Sequence, residues 1–437
     1  MANQLPRTLG ARDVAVITVG TVIGSGLFLT PGGVLRNAGS VGVAMTIWVV
    51  GGVLSLLGAL AYAELGCSRI GAGGLYAYIR DAFGPATAFT YGWTLLVVIA
   101  SGSVATLAVA AGDNLAAVMP LGDVGKKVVA VALIAGLAVI NVRGTRESAN
   151  VLGLATLLKV STLVVLIVVL PIVGHGLGEV TTPWPATVDG PVISGGLAAM
   201  VSVLWAYEGW QYATFIGGEV VDPQRNFPRG LVLGSVAVMI IYVLTNVGYL
   251  AALGPTRLAA SSAVASESVG AAFGPLAARL IAIPVLVSII SAGHGIMLTS
   301  SRVFHAMGQD KVFFAKLADV HPEYGTPATS IIALATWSAV LALSGTFNTL
   351  LTYVVFVGWI FYGLGGVCVI IFRRREPDAP RPMKVPGYPL TPILFVASAL
   401  VIVINTIIDN PMRGLIGIGG TLLALPLYAF WRRPART

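Results

Sequence analysis

The sequence predicts an all-α membrane protein with twelve transmembrane helices. Three observations predict this class: 56% of the 437 residues are hydrophobic, only 10% are charged, and long apolar runs recur along the whole chain. A soluble domain usually carries about 25% charged residues, and an apolar run of about 20 residues is long enough to cross a bilayer as a helix. We therefore expect residues 1–437 to form a single transmembrane domain.

The predicted spans are apolar over a length that crosses the hydrocarbon core. They cover residues 14–35, 42–65, 86–112, 126–142, 148–173, 192–221, 230–253, 276–303, 327–344, 347–372, 389–408 and 414–431. No secretory signal with a small-residue cleavage site precedes the first span, so we expect it to remain as the first membrane helix. An even number of spans places both termini on one side of the membrane.

The basic residues are divided unequally between the two sides of this topology. With both termini in the cytoplasm, nineteen lysines and arginines lie inside and six lie outside, while Lys159 lies within a span. Because cytoplasmic loops carry the excess of basic residues, we predict a multi-pass protein of the plasma (cell inner) membrane with cytoplasmic N and C termini. The net charge of +8 follows from this orientation, and we expect no nucleic-acid partner.

The sequence shows no motif for catalysis or for a metal. Cys67 and Cys368 are its two cysteines, and they have no metal-ligand spacing. A phosphate loop, a His/Cys cluster and a nucleophile motif are all missing from the sequence. We therefore expect no enzymatic activity, no metal site and no cofactor.

Two spans are interrupted at their centres. Span one reads TVIGSGLFLTPGG at 21–33, which places Gly24, Ser25 and Gly26 near the bilayer midplane, although a glycine costs about 1 kcal/mol relative to alanine inside a helix. Span six reads LWAYEGWQY at 204–212, with an acid and a glycine at its centre. Interruptions five spans apart are expected when two five-helix repeats of opposite topology pack their broken helices together.

These interruptions predict the domain organisation and a type of ligand. The repeats would cover residues 14–173 and 192–372, and two additional helices would follow at 389–431. Each break exposes free N–H groups at the start of one half-helix and free C=O groups at the end of the other. These ends attract a carboxylate and an ammonium, respectively, so a zwitterion matches both. The alternative is a helix contact between small residues.

Five segments resemble, in order, motifs of the amino acid–polyamine–organocation transporter superfamily, in particular the L-type amino-acid transporters and their bacterial relatives. They are GTVIGSGLF (20–28), WAYEGW (205–210), GGEVVDPQRNFPRG (217–230), SSRVFHAMGQD (300–310) and RREPDAPRPMKVPGYPLTP (374–392). The resemblance implies a LeuT-type fold: twelve helices in a five-plus-five inverted repeat, with helices 1 and 6 broken and two helices added. It also implies alternating-access transport of L-amino acids bound between the broken helices.

The resemblance further implies a set of substrate contacts. The backbone amides of Ser25 and Gly26 would hold the substrate carboxylate. Trp205 matches an aromatic position that closes over the substrate in relatives. The carbonyl groups that would face the substrate ammonium belong to Val22, Trp205, Ala206 and Glu208.

Glu208 admits three roles. A mid-membrane acid costs about 2.5–3.5 kcal/mol on insertion scales and is functional by default. It could attract a cationic side chain of the substrate, carry a proton, or hydrogen-bond nearby backbone and so shape the unwound segment. Because no other acid lies near either break, we expect neutral L-amino acids as substrates. We separately expect transport by exchange. The alternatives are proton-coupled symport, transport of cationic amino acids or polyamines, and a membrane sensor or channel.

Lys159 lies within two residues of the centre of span five, 148–173, too deep for its four-carbon stem to reach either interface readily. The resemblance implies that a lysine here takes the place of an ion held by sodium-coupled members of the wider fold. It would bridge span one near Gly24 to span eight near Ser288 or Ser291. We therefore expect sodium-independent transport. The alternative is a packing lysine paired with a carbonyl group.

The loop between spans three and four bears on subunit composition. It reads DNLAAVMPLGDVGK (113–126) and contains no cysteine. In animal L-type transporters, a cysteine in this loop joins a glycoprotein heavy chain. We therefore expect no covalent heavy-chain subunit, and we expect the partners to be an amino-acid substrate and the lipid bilayer.

Overall fold

The computed structural model describes residues 7–71, 73–116 and 119–431. Across these residues the chain folds into helices joined by short loops, and its β pairing is limited to an isolated parallel bridge between Leu9 and Val220. Arg432, Arg433 and Arg436, three of the basic residues assigned to the cytoplasm, lie outside the described residues, as do residues 117–118 of the loop between spans three and four.

Each predicted span corresponds to a helix or to a pair of half-helices, numbered here in chain order. The ranges are α1 Ala11–Leu29, α2 Val41–Ser68, α3 Pro85–Ala116, α4 Asp123–Val142, α5 Thr145–Val173, α6 Gly190–Glu219, α7 Pro223–Ala260, α8 Pro275–Gln309, α9 Ala328–Ser344, α10 Phe347–Arg375, α11 Leu390–Ile408 and α12 Gly414–Trp431. The prediction of a multi-pass, all-helical membrane protein is confirmed.

The number of spans is a finer question. By length and composition, ten of these helices in the described part of the chain could cross a membrane. The helices α4 and α9 are not among the ten, and α9 has 17 residues. The count of twelve spans therefore stays a prediction.

Local sequence signals account for several helix boundaries. The Ser40 hydroxyl accepts a hydrogen bond from the Val43 amide at the start of α2, and the Asp189 carboxylate accepts one from the Val192 amide at the start of α6. Such side chains replace the missing partners of the first helical amides. In α7 the backbone kinks at Gly254, with φ +68°, one residue after the predicted end of span seven.

The helix α1 packs against four other helices, α5, α6, α7 and α8. Small residues permit these close approaches. A methyl group on Gly20 would lie 2.8 Å from the Thr156 hydroxyl on α5, and one on Gly234 of α7 would lie 2.8 Å from Thr18 Cβ on α1. Residues 23–25 and 206–209, at the centres of the two interrupted spans, are buried.

Candidate functional site

The first helix is broken where its glycines predict a break. Its first half ends at Val22, a short helix begins at Gly26, and Ile23 to Ser25 lie between them. Among the described residues, no acceptor pairs with the backbone amides of Ser25 and Gly26, and the buried Ser25 hydroxyl has no hydrogen-bond partner either. These donors are the free groups expected at the start of a half-helix, where a carboxylate is stabilised.

The sixth helix is broken between an α-helical half and a 3₁₀ half. The α-helical half is Gly190–Ala206, and the 3₁₀ segment is Trp210–Glu219. Between them, Gly209 adopts φ +134°, a conformation that favours glycine because a Cβ atom would clash. A Cβ atom at this position would also lie 2.8 Å from the carbonyl group of Thr21 on α1.

The two breaks meet at Gly26 and Ala206. A Cβ atom on Gly26 would lie 2.5 Å from Ala206 Cα and 2.7 Å from Ala206 Cβ, closer than atoms of real side chains approach. In this structure the missing side chain of Gly26 therefore lets the broken helices touch. The role of the Gly26 amide toward a substrate stays a prediction.

Trp205 lies beside this contact and is buried. Its ring meets the ring of Phe347 on α10 edge-on, with the centroids 6.3 Å apart. Its carbonyl group accepts a hydrogen bond from the Glu208 amide at 3.0 Å. Of the four carbonyl groups predicted to face an ammonium, the one on Trp205 already has a partner within α6.

Tyr242 on α7 joins the ends of the two broken helices. Its buried hydroxyl lies 3.0 Å from the Val22 carbonyl oxygen and 2.9 Å from the Ala206 carbonyl oxygen. A phenol carries one proton, so it donates to one of these carbonyl groups at a time and leaves the other unpaired. Nothing in the sequence pattern points to this residue, because it is a single tyrosine within the apolar run MIIYVLTN (239–246).

Lys159 connects three elements from the centre of α5. Its ammonium donates to the Gly20 carbonyl at 2.7 Å, to the Ile23 carbonyl at 2.6 Å and to the Ser291 hydroxyl on α8 at 2.8 Å. Its three N–H donors are thereby used. Two of the acceptors are carbonyl groups at the C-terminal end of a half-helix, where a cation is stabilised.

Ser288 and Gly24 lie next to this lysine. The Ser288 hydroxyl is 3.1 Å from the Ile23 carbonyl oxygen and 3.4 Å from the Gly24 carbonyl oxygen. The residues that the sequence groups with Lys159 are therefore close together here. Lys159 contacts the carbonyl groups of Gly20 and Ile23 and not that of the predicted Gly24. Gly20 lies one helical turn before Gly24, and Ile23 is the residue directly before it.

Glu208 is braced by neutral side chains. Its Oε1 atom accepts hydrogen bonds from the side-chain amide Nε2 of Gln211 at 2.7 Å and from the Tyr362 hydroxyl on α10. No lysine or arginine in the described part of the chain forms an ion pair with it, and its Oε2 atom accepts no hydrogen bond from these residues. These contacts are made with side chains and not with the nearby backbone, whose Gly209 amide donates to the Gln211 side chain, so the role of Glu208 stays a prediction.

Comparison with known proteins decides the family. The family model described as "Amino acid permease" matches residues 9–421, nearly the whole chain. The chain belongs to the amino acid permease family. This confirms the resemblance noted for the sequence motifs, and it confirms that the protein transports amino acids and is not an enzyme.

Curated relatives resemble this permease along most of their length. It is 31% identical to the b(0,+)-type amino acid transporter 1 of Mus musculus over 415 residues, which are 94% of this chain and 84% of the relative. It is 31% identical to the large neutral amino acids transporter small subunit 2 of Mus musculus (98% and 82% covered). It is 32% identical to the cystine/glutamate transporter of Homo sapiens (97% and 85% covered).

A buried ion pair lies at the end of the permease at which α1 begins. The Arg302 guanidinium on α8 donates to the Glu219 carboxylate at 2.8 Å, and both side chains are fully buried. The Glu219 carbonyl also accepts hydrogen bonds from the amides of Thr8 and Leu9. The end of the broken α6 is thus tied both to α8 and to the segment that leads into α1.

Proposed function

We propose that this permease moves neutral L-amino acids across the membrane by sodium-independent exchange with alternating access. The contact set of Lys159 carries the proposal. An ammonium group hydrogen-bonded to α1 and α8 supplies a positive charge at the end of a broken half-helix. In sodium-coupled transporters, a bound sodium ion supplies a positive charge at such an end. With a fixed cation in this position, a transported ion is not required there.

The breaks would bind the two charged groups of the substrate. The unpaired amides of Ser25 and Gly26 suit its carboxylate, and the carbonyl groups of Val22 and Ala206 suit its ammonium. Both carbonyl oxygens lie within hydrogen-bond distance of the Tyr242 hydroxyl. The substrate ammonium would therefore displace this hydroxyl or bind the carbonyl group to which the hydroxyl is not donating. Trp205 would cover the bound amino acid, and the Glu208 carbonyl would complete the ammonium site.

Transport of cationic amino acids or polyamines, or symport with protons, is the second candidate, and Glu208 supports it. Its carboxylate is buried without a basic partner among the described residues, and its Oε2 atom is free of protein donors there. A buried acid in this position either takes a proton or attracts a positive group. Neutral substrates remain the first proposal because Gln211 and Tyr362 already brace this carboxylate.

We also propose the inverted repeat at 14–173 and 192–372, followed by two helices at 389–431. A pair of matching turns supports it. The sequence Ala-Phe-Gly-Pro occurs at 82–85 and at 272–275. Each time Ala-Phe ends a short helix (Leu75–Phe83 or Val264–Phe273), the glycine is the link, and the proline begins the third helix of a repeat. The backbone angles agree, with φ +93° and ψ 171° at Gly84, and φ +85° and ψ 177° at Gly274.

The orientation and the subunit composition are proposals as well. The inequality in basic residues supports cytoplasmic termini in the plasma membrane. Cys67 and Cys368 are buried and the loop at 113–126 lacks cysteine, which supports function without a covalent heavy chain. Purified chain that transported only after a second polypeptide was added would contradict this last proposal.

Counterflow into liposomes tests the proposed transport directly. Vesicles containing the purified chain would be loaded with unlabelled leucine, and uptake of labelled leucine would be measured in sodium and in choline buffers. We expect equal uptake in both buffers and little uptake into vesicles that contain the protein but no unlabelled leucine. Uptake that rises with a sodium gradient would overturn the proposal. Lysine uptake that exceeds leucine uptake, and falls selectively in Glu208→Gln, would favour the second candidate.

A further inference from the structure

A groove between α1, α5 and α7 lies apart from the proposed transport site. Its volume is about 810 Å³, within the range of about 300–1,000 Å³ that is usual for ligand sites. Its rim carries Leu154, Leu157 and Leu233, whose surfaces are 72%, 65% and 66% exposed. Leucines this exposed on membrane-spanning helices face lipid, so the groove opens toward the bilayer.

Small residues form the floor of this groove. Ala15 on α1, Ala149 and Gly153 on α5, and Gly234 on α7 line it. A methyl group on Gly153 would meet Val16 Cγ1 at 3.8 Å, an ordinary van der Waals distance. There is consequently space above Gly153 that the side chains of the permease do not fill.

The length of the groove matches one leaflet. Along α5 it extends from Arg146 to Val160, a rise of about 20 Å at 1.5 Å per residue. Half of the hydrocarbon core is about 15 Å thick, and the headgroup layer adds several ångströms. The groove therefore runs from the headgroup layer near Arg146 to the bilayer centre near Val160. This length is the extent of one lipid chain.

Positive charge gathers at the mouth of the groove. Arg146 donates to Asp13 at 3.1 Å and to the Thr8 carbonyl at 3.2 Å, and Asp13 also accepts a hydrogen bond from the Gly10 amide. Arg12 is exposed, and the structure gives its guanidinium no ion pair or side-chain hydrogen bond within the described residues. Among the residues that line the groove, two arginines and one aspartate leave an excess of one positive charge, and guanidinium groups bind phosphate well.

We propose that this groove binds one anionic phospholipid. Its phosphate lies on Arg12 and Arg146, and one acyl chain lies along the floor formed by Ala15, Gly153 and Gly234. Because the first half of α1 is one wall of the groove, the bound lipid stabilises the packing of this half-helix against α5 and α7. Anionic lipid thereby favours the conformation described here.

Native mass spectrometry of the purified full-length protein tests the charge requirement. The protein in detergent would be incubated with equal amounts of phosphatidylglycerol and phosphatidylcholine. We expect the wild type to retain phosphatidylglycerol preferentially, and Arg12→Gln to retain about five-fold less of it. Lys316→Gln removes the same charge from an exposed site at the same end of the bundle and should behave as wild type. Equal losses in both variants would show general attraction to this end and overturn the proposal.

A second pair of variants tests the shape of the groove. Gly153→Leu fills it without changing any charge, and Gly153→Ala leaves most of the space open. We expect Gly153→Leu to lose the bound lipid and Gly153→Ala to keep it. Lipid retention that is unchanged in Gly153→Leu would overturn the proposal. So would a dimer of the chain, detected without lipid and dissociated by Gly153→Leu, because a second copy would then occupy the groove.

Discussion

The ammonium of Lys159 lies 2.6 Å from the carbonyl oxygen of Ile23, the residue that caps the first half of α1. The interrupted helix leaves this carbonyl group and that of Gly20 without an amide partner in the next turn. A side chain from α5 therefore satisfies the broken end of α1, and the Ser291 hydroxyl fixes the same ammonium to α8. Three helices thus depend on one positive charge.

Removing this charge should impair transport strongly. Lys159→Ala leaves the Gly20 carbonyl group unpaired and leaves the Ile23 carbonyl group with only the Ser288 hydroxyl, and a buried unpaired group costs about 1–3 kcal/mol. We expect amino-acid counterflow to fall at least about tenfold. Lys127→Ala, which removes an exposed lysine at the start of α4, is the matched control and should transport normally. Wild-type turnover in Lys159→Ala would contradict the assignment.

The hydroxyl of Tyr242 should matter more than that of Tyr249. Tyr242→Phe removes the donor shared by the Val22 and Ala206 carbonyl groups, so we expect a loss of about 0.5–1.5 kcal/mol in stability and slower counterflow. Tyr249→Phe removes a buried hydroxyl that has no partner among the described residues and should leave both unchanged. Thermal unfolding in detergent measures the difference, and equal melting temperatures would mean that the bridge contributes nothing.

Gly26 should not tolerate even a methyl group. In Gly26→Ala the new Cβ atom would lie 2.5 Å from Ala206 Cα, so the two broken helices must move apart. We expect the stabilisation by bound amino acid to disappear in a thermal-shift titration. Gly33→Ala is the control, because its Cβ atom would lie 3.7 Å from the flexible Arg36 side chain. Normal substrate affinity in Gly26→Ala would show that the contact between the breaks is dispensable.

The buried pair of Arg302 and Glu219 should be costly to break. Arg302→Met leaves the Glu219 carboxylate buried and unpaired, which costs about 3–5 kcal/mol. Replacing both residues, in Arg302→Met with Glu219→Gln, should restore much of the loss, since no uncompensated charge remains. Lys126→Met breaks the exposed pair with Asp113 and should cost at most about 1 kcal/mol. Thermal unfolding of the variants gives the order, and a similar cost for Arg302→Met and Lys126→Met would contradict this account.

Local sequence pattern was enough to predict the helices α1 to α12 and the interruptions in α1 and α6, but not the short helices Leu75–Phe83 and Val264–Phe273. Hydropathy depends on the residues of one segment, so the helices lie close to the predicted ranges. The glycines at 24 and 26, and the Glu-Gly pair at 208–209, mark the breaks. Glycine weakens a helix through its own backbone freedom, whatever the helix packs against. The Ala-Phe-Gly-Pro sequence at 82–85 recurs at 272–275. This recurrence is a sequence signal from which the two proposed repeats could be aligned.

The partners of the buried polar groups depend on the tertiary structure. Tyr242 is 220 residues from Val22 in the chain and Lys159 is 132 residues from Ser291, and no periodicity within one helix specifies such pairs. They meet because α5, α7 and α8 pack around α1 at distances set by small residues on each. Which carbonyl group Lys159 contacts, and which residue covers Gly26, follow from the rotation and depth of whole helices, so they appear only when the bundle is assembled.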